Sequence, residues 1–258
     1  MADNANPFAL KGRTALITGA SSGLGAHFAT MLAAQGVRVV AGARRLDRLQ
    51  DLAASIRAAG GEIEPVELDV EDEKSIIAAY DHAEATFGTV DVVIANAGIN
   101  AQGSSTDLPA DDLAQLLRIN VQGVYLTARE GARRLIASED SSRGRIILVG
   151  SVGSLRPLAG LSAYSTSKAG VAMMGKALAR EWARHGINVN TICPGWIVTE
   201  LNEGWLAGEG GQKLIQSFPR RRVMKPQDLD GLVTFLSSDA SSAISGGVFA
   251  ADDAQVLA

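Results

Sequence analysis

The sequence predicts one doubly wound α/β sheet, parallel throughout and covered by helices on both faces. Three observations predict it. Short apolar runs alternate with helical stretches along the chain, the pattern of parallel βαβ units. The runs are nearly continuous in apolar residues, as strands buried on both faces are. The first run also passes through a glycine-rich turn, Thr18-Gly19-Ala20-Ser21-Ser22-Gly23-Leu24-Gly25, directly into a helix.

The elements follow in order. Residues 14–18 (TALIT) and 37–41 (VRVVA) read as strands, with an alanine-rich helix over 24–35 between them and Gly36 as its stop. A helix over 46–59 ends at Gly60-Gly61. The strand over 63–68 contains Pro65, which lacks an amide donor and so argues for an edge or an irregularity. A helix over 75–87 and a strand over 90–95 come next. Residues 109–137 carry helical periodicity, read as two helices meeting near Arg118. A strand over 145–149, a helix over 163–185 and a strand over 187–193 follow, the last closed by Pro194-Gly195. A glycine-containing, poorly periodic region extends to about Pro219, before a helix over 229–237 and a short strand over 247–251. Right-handed crossovers assemble such units into a single sheet of the Rossmann type.

Composition sets the outer limits. Of 258 residues 47% are hydrophobic and 20% charged, which suits a soluble chain with a sizeable core. No linker-like tract divides it, so residues 1–258 are expected to form one domain, with a flexible lead-in over 1–9. A net charge of −4 gives no encouragement to nucleic-acid binding. One cysteine, Cys193, and three histidines supply no internal disulfide and little material for a metal site. Residues 1–7 do not pair a basic region with an apolar one, and no apolar run approaches the ~18–20 residues that span a bilayer. The expectation is a cytoplasmic protein with no membrane segment.

Chemistry gathers around Tyr164-Ser165-Thr166-Ser167-Lys168. Tyrosine and lysine four residues apart share one face of a helix. An ammonium beside a phenol stabilises the phenolate and lowers a pKa that is otherwise about 10, so the phenol could exchange protons with a carbonyl or alcohol oxygen. Alone, the spacing also fits a solvated helix face. Three further features accompany it: Ser151 just after the apolar run 146–149, Asn96-Ala97-Gly98 at the end of another, and Asn120 in the helical stretch between.

Together these motifs resemble the short-chain dehydrogenase/reductase family, from about Leu10 to Val256 and in the family's order. The glycine spacing is G-x-x-x-G-x-G, which matches that family's version rather than the generic dinucleotide fingerprint. The resemblance implies that Gly19, Ser21, Ser22, Gly23, Leu24 and Gly25 hold a pyrophosphate against a helix N-terminus. It places Asp69 and Val70 at the adenine, although Asp69 could instead be a helix N-cap. Asn96, Ala97 and Gly98 would lie beneath the adenosine ribose, Ala95 departing from a common doubled asparagine. Pro194, Gly195, Ile197 and Thr199 would hold the nicotinamide amide. The end of the second strand discriminates cofactors. Ala43 stands where NAD-binding relatives carry an acid, and Arg44 and Arg45 follow. A guanidinium can bind the 2′-phosphate that a carboxylate repels, so NADP is expected, with NAD possible through Asp47. Ser22 fills a position where many NADP-preferring relatives are basic.

The implied reaction is hydride transfer between NADP(H) and a ketone or secondary alcohol. Tyr164 would be the acid/base, Lys168 would lower its pKa and bond the ribose, and Ser151 would polarise the substrate oxygen. Asn120 would hold a water joining Lys168 to solvent. A lid is expected over 199–222, with Leu201, Trp205, Leu206, Leu214, Ile215 and Phe218, preceded by Trp196, read either as an apolar substrate wall or as core. Arg220-Arg221-Arg222 with Lys225 could grip the phosphates of an acyl carrier, making the chain a 3-oxoacyl-thioester reductase, but a solvated or interface cluster is the preferred reading. A cofactor-sensing protein without turnover is the alternative of another class. The family's usual Asp-Gly-Gly after the last strand is here Asp252-Asp253-Ala254-Gln255, at a segment that packs in the family's tetramers. A homo-oligomer, tetramer or dimer, is expected, with its details open.

Overall fold

The structure, a computed structural model, describes residues 6–200 and 202–257. Its centre is a seven-stranded sheet in the order β3-β2-β1-β4-β5-β6-β7, with all neighbours parallel. The strands are β1 (Thr14–Thr18), β2 (Arg38–Ala43), β3 (Glu62–Glu67), β4 (Val92–Ala95), β5 (Arg145–Val149), β6 (Asn188–Pro194) and β7 (Val248–Ala251). Pro65 lies in β3, the outer strand, opposite Ala41 of β2, where the missing amide leaves no ladder bond broken on a second side.

Period-two alternation sends successive side chains of each strand into two separate cores. Ile17, Val39, Ala41, Ile94, Ile147 and Ile192 face one way, onto Phe28, Leu32, Leu49, Ile56, Val233 and Leu236. Those partners belong to α1 (Gly23–Ala34), α2 (Leu46–Ala58) and α9 (Asp230–Ser237). Leu16, Val40, Val93, Ile146, Leu148 and Val189 face the other way, onto Ile76, Tyr80, Ala132, Leu135, Val171, Leu178 and Trp182. These lie on α3 (Glu73–Phe87), α5 (Val124–Ala137) and α6 (Ser162–Trp182). The continuous apolar strands of the sequence are thus required on both faces.

The strand order reverses between β1 and β4, where connections leave in opposite directions and open a crevice at the carboxyl ends of the strands. Two segments differ from the sequence reading. The two helices expected to meet near Arg118 are α4 (Ala110–Leu117) and α5, joined without a break by a π-helical stretch, Arg118–Gly123, that contains Asn120. The poorly periodic region carries two short helices, α7 (Glu203–Ala207) and α8 (Glu209–Ser217). Gly211 lets them touch, since a Cβ there would sit 2.4 Å from Leu206 Cα. Close packing of this kind leaves no apolar repeat to read. No helix among the described residues is long and apolar enough to cross a membrane.

Helix α6 lies tight on β6. A Cβ at Gly175 would meet Thr191 Oγ1 at 2.3 Å, whereas one at the exposed Gly170 would meet nothing within 4 Å. Alanine gains about 1 kcal/mol over glycine in a helix, and overpacking costs about 1–3 kcal/mol. Urea denaturation should therefore find Gly170→Ala more stable than the parent by up to about 1 kcal/mol and Gly175→Ala less stable by about 1 kcal/mol or more. Stabilisation by both would show that α6 can move off β6.

Candidate active site

The crevice is a cleft of about 580 Å³, within the ~300–1,000 Å³ range of small-molecule sites. Of the residues the sequence assigns to catalysis or cofactor binding, all but Gly25 and Asn120 line it. Those two stand directly behind it. A Cβ on Gly25 would lie 2.4 Å from Gly19 O, so glycine there lets the loop fold back on the first turn of α1. Gly19 itself has φ 70°, a left-handed conformation that costs a side chain but not glycine. Thr18 stitches this loop to the end of β4: its Oγ1 accepts from the amides of Asn96 and Ala97 at 3.1 Å, and its carbonyl accepts from Asn96 Nδ2 at 2.9 Å.

One end of the cleft is cationic. Arg44 is exposed on its wall and makes no hydrogen bond or ion pair among the described residues. Arg45 turns back over the glycine loop, donating from Nη2 to Ser21 Oγ at 2.9 Å and Ser22 Oγ at 2.8 Å. Arg48 reaches across to Glu200 at 2.8 Å and holds that carboxyl below its ordinary range. Asp69 accepts from the amide of Glu71 at 3.0 Å, but the N-cap of α3 is Asp72, which accepts from Lys74 N.

At the other end stand Ser151, after β5, and Tyr164 and Lys168, on the first turns of α6. The Ser151 hydroxyl lies on the Tyr164 phenol's side of the cleft and accepts from the amide of Gly153 at 3.0 Å. Lys168 is buried, and its Nζ donates to Val149 O at 2.8 Å. Its ammonium lies 5.8 Å from the centre of the Tyr164 ring. Burial lowers the lysine to about 8. Burial also pushes the Tyr164 phenol up, with the neighbouring Ser151 hydroxyl acting the other way. The sequence expectation of a phenol lowered by its neighbour is therefore not met in the protein alone: desolvation acts on both groups, and the ammonium is turned to a backbone carbonyl.

Asn120 is fully buried. Its Oδ1 accepts from Ile99 N at 2.8 Å, and its Nδ2 donates to Ile99 O at 2.9 Å and Ser167 Oγ at 3.1 Å. Ser167 in turn donates to Tyr164 O at 2.7 Å. Both amide hydrogens are thus committed to fixing the start of α6 against the loop after β4. The Ile197 carbonyl likewise accepts from Asn202 Nδ2 at 2.8 Å, and the Thr199 amide donates to Asn202 Oδ1 at 2.9 Å.

The far wall is partly as expected. Trp196 lines the cleft and stacks on Trp205 with centroids 5.4 Å apart. Leu206 and Phe218 are buried and absent from the lining, so they belong to packing, while Leu201 lies outside the described residues. Val152, Leu158 and Leu161 add apolar lining from the loop after Ser151, a segment with no periodic signal. The triple arginine is engaged: Arg220 and Arg222 pair with Asp253 at 3.1 and 2.7 Å. Asn202 and Gln255 were not found from sequence, since single amides in irregular segments carry no pattern.

A doubly wound parallel sheet with this cleft at its switch point and a Ser/Tyr/Lys cluster at one end defines a class of oxidoreductase. The sequence matches the short chain dehydrogenase family over residues 13–210, and the chain belongs to that family. It is 32% identical over 246 residues to gluconate 5-dehydrogenase of Gluconobacter oxydans, with 95% of both chains covered. It is 35% identical over 241 residues to cis-4-hydroxycyclohexanecarboxylate dehydrogenase of Sinomonas cyclohexanicum, covering 93% of this chain and 95% of that one. Among solved structures, a gluconate 5-dehydrogenase of Burkholderia cenocepacia in complex with NADP and tartrate superposes with a TM-score of 0.92 at 32% identity over 98% of both chains.

The buried lysine carries a stability cost with a defined pH window. Its pKa is about 8 folded and about 10.4 unfolded. Between those values the unfolded chain binds more protons, so stability rises with pH across the window, and below about 8 the full deficit of roughly 3 kcal/mol remains. Lys168→Met should accordingly melt higher than the parent at pH 7, with the gap closing as pH rises from about 8 to 10. Thermal melts across that range check this, and a gap that widens with pH would contradict it.

Proposed function

We propose that this chain transfers a hydride between NADP(H) and a ketone or secondary alcohol, with Tyr164 as general acid/base. The observation that carries the reading is the convergence of Ser151, Tyr164 and Lys168 at one end of a cleft whose other end presents Arg44 and Arg45. The bound nicotinamide would supply or accept the hydride. Gly19, Ser21, Ser22, Gly23, Leu24 and Gly25 would hold its pyrophosphate, Asp69 and Val70 the adenine, and Asn96, Ala97 and Gly98 the ribose. Pro194, Gly195, Ile197 and Thr199 would hold the amide.

Arg45 supports NADP over NAD. Its guanidinium sits on the Ser21 and Ser22 hydroxyls, so the basic group that position 22 lacks in sequence arrives from the start of α2. With Arg44 beside it, two guanidiniums are available to one phosphate.

Ser151 already accepts from Gly153, which leaves its own hydrogen to point at Tyr164 or at a substrate oxygen. Tyr164, raised by burial, is a phenol at neutral pH and ready to donate during reduction. Alcohol oxidation needs the phenolate, so its rate should climb as pH rises on the alkaline side while reduction does not. The relatives' substrates, a sugar acid and a ring alcohol, support secondary alcohols borne on polyols or rings. Engagement of Arg220 and Arg222 by Asp253 supports a free substrate rather than one on a phosphate-bearing carrier.

The test follows loss of NADPH or NADH absorbance with cyclohexanone and other ring and sugar-acid ketones. Tyr164→Phe should lose at least about 100-fold in rate and keep NADPH binding. Arg44→Ala should weaken NADPH by about 10–100-fold, as loss of a charge-assisted contact does, and leave NADH nearly unchanged. A parent enzyme that prefers NADH would overturn the arginine reading. NADPH binding with no turnover on any ketone would leave a sensor in place of an enzyme.

A further inference from the structure

We propose that the C-terminal turn, residues 252–256, is a positioning element that braces the substrate side of the cleft, with Gln255 as its positioning residue. Gln255 is buried. Its Oε1 accepts from the Trp196 amide at 2.6 Å, and its Nε2 donates to Arg222 O at 3.4 Å. One carboxamide thus ties the residue that follows Pro194-Gly195 to the strap that follows α8.

Three independent features place the turn in this role. The first is fit. A Cβ on Gly195 would lie 2.5 Å from Gln255 Oε1 and 2.9 Å from Asp252 Cα. Glycine at position 195 is required by the turn packed behind it, whatever else it admits in front. The second is attachment from both sides. Arg156, in the loop between Ser151 and Tyr164, donates to the carbonyls of Gln255 and Val256 at 3.3 and 3.2 Å. From the opposite side Arg220 and Arg222 pair with Asp253. The turn therefore spans the two segments that flank the Trp196 wall.

The third is strain. Among the described residues, the non-glycine residues with positive φ are Arg221 (48°), Asp253 (55°) and Ala254 (66°), all at this junction. Left-handed backbone at such residues is unfavourable and persists only where the surroundings over-determine it. Here the over-determination is the Asp253 ion pairs, the Asp252 Oδ2 contact to Val256 N at 2.6 Å and the Gln255 bridge. What the bridge holds is the main chain of Trp196, whose indole stacks on Trp205.

The kinetic part of this proposal rests on the hydride-transfer reading, while the spectroscopic part does not. Gln255→Ala and the milder Asp253→Asn are compared with the parent in the full chain. Near-UV circular dichroism reads the Trp196–Trp205 stack, with Trp205→Phe identifying its share of the signal. Gln255→Ala should lose most of that share and raise KM for cyclohexanone by about tenfold, as misplaced positioning does. NADPH affinity should fall by no more than about threefold, since only the amide contacts at Gly195 and Ile197 flank Trp196, while the pyrophosphate, adenine, ribose and arginine contacts proposed above lie on other loops. Asp253→Asn should show the same pattern in smaller degree. An unchanged tryptophan signal in both variants would overturn the proposal. So would a joint fall in NADPH affinity, kcat and melting temperature, which marks a merely structural role. If the parent turns over neither cyclohexanone nor any other ketone of the panel, the hydride reading fails and the tryptophan signal still decides the brace.

Discussion

The Lys168 ammonium on the Val149 carbonyl is the constraint around which the site is built. A lysine buried at the end of a parallel sheet is costly in itself, and the fold keeps it by giving it one fixed acceptor at 2.8 Å. That bond joins the last residue of β5 to the second turn of α6. It thereby sets the height of α6 over the sheet, and with it the height of Tyr164. Ser154 secures the same turn from the other direction, donating to the Lys168 carbonyl at 2.7 Å while accepting from Ser151 N at 3.2 Å. Ser151 and Lys168 are thus held to one another through backbone bonds to Ser154, with the Nζ bond to Val149 fixing the lysine side chain.

Behind that unit runs a second layer. The Asn120 amide, on the π-helical stretch between α4 and α5, bonds Ile99 and Ser167 with all its donors. A π-helical turn widens the helix locally and turns a side chain out of register, here into the space between the loop after β4 and α6. Glycine at 98 leaves room for it, since a Cβ there would stand 3.2 Å from Asn120 Oδ1. The side chain is accordingly a strut. Any water relay that this position serves must use atoms other than the two amide hydrogens.

How far the sequence discloses such a site depends on the kind of interaction. β1 and β5 were legible to the residue, because five consecutive buried positions in each leave a nearly continuous apolar run, Ala15–Ile17 in one and Ile146–Val149 in the other. The family motifs were legible because backbone conformation and helix spacing dictate them: Gly19 for its left-handed φ, Tyr164 and Lys168 for their shared helix face. Arg45 on the Ser21 and Ser22 hydroxyls was not, since the contact crosses 24 residues and depends on a rotamer. Gln255 was less legible still. Its partners, Trp196 and Arg222, lie 59 and 33 residues away, and the departure from Asp-Gly-Gly showed only that something differs. The direction of the Tyr164 pKa was misjudged for a related reason: helix spacing reveals the neighbour, whereas burial, which dominates, is a property of the assembled fold.

The two sides of the cleft are held by different physics. The side proposed for the cofactor is made mostly of turns that leave β1, β2, β3 and β4, each anchored directly by strand pairing and by backbone bonds such as those of Thr18 and Asn96. The side proposed for the substrate leaves β6 after the proposed amide contacts and depends on contacts between irregular segments: Asn202 on Ile197, Arg48 on Glu200, and the C-terminal turn on Trp196. Strand ladders tolerate little displacement, because a slip of one residue reverses every side chain. Side-chain ties between loops can be exchanged one at a time. On the proposed reading, this division lets a common cofactor geometry serve different substrates, and in this chain the exchange falls at Asp253 and Ala254, which stand where the resembled Asp-Gly-Gly has its two glycines, with Gln255 next to them. The strained φ values of Asp253 and Ala254 are then the local cost of replacing two flexible residues with side chains that hold a wall in place.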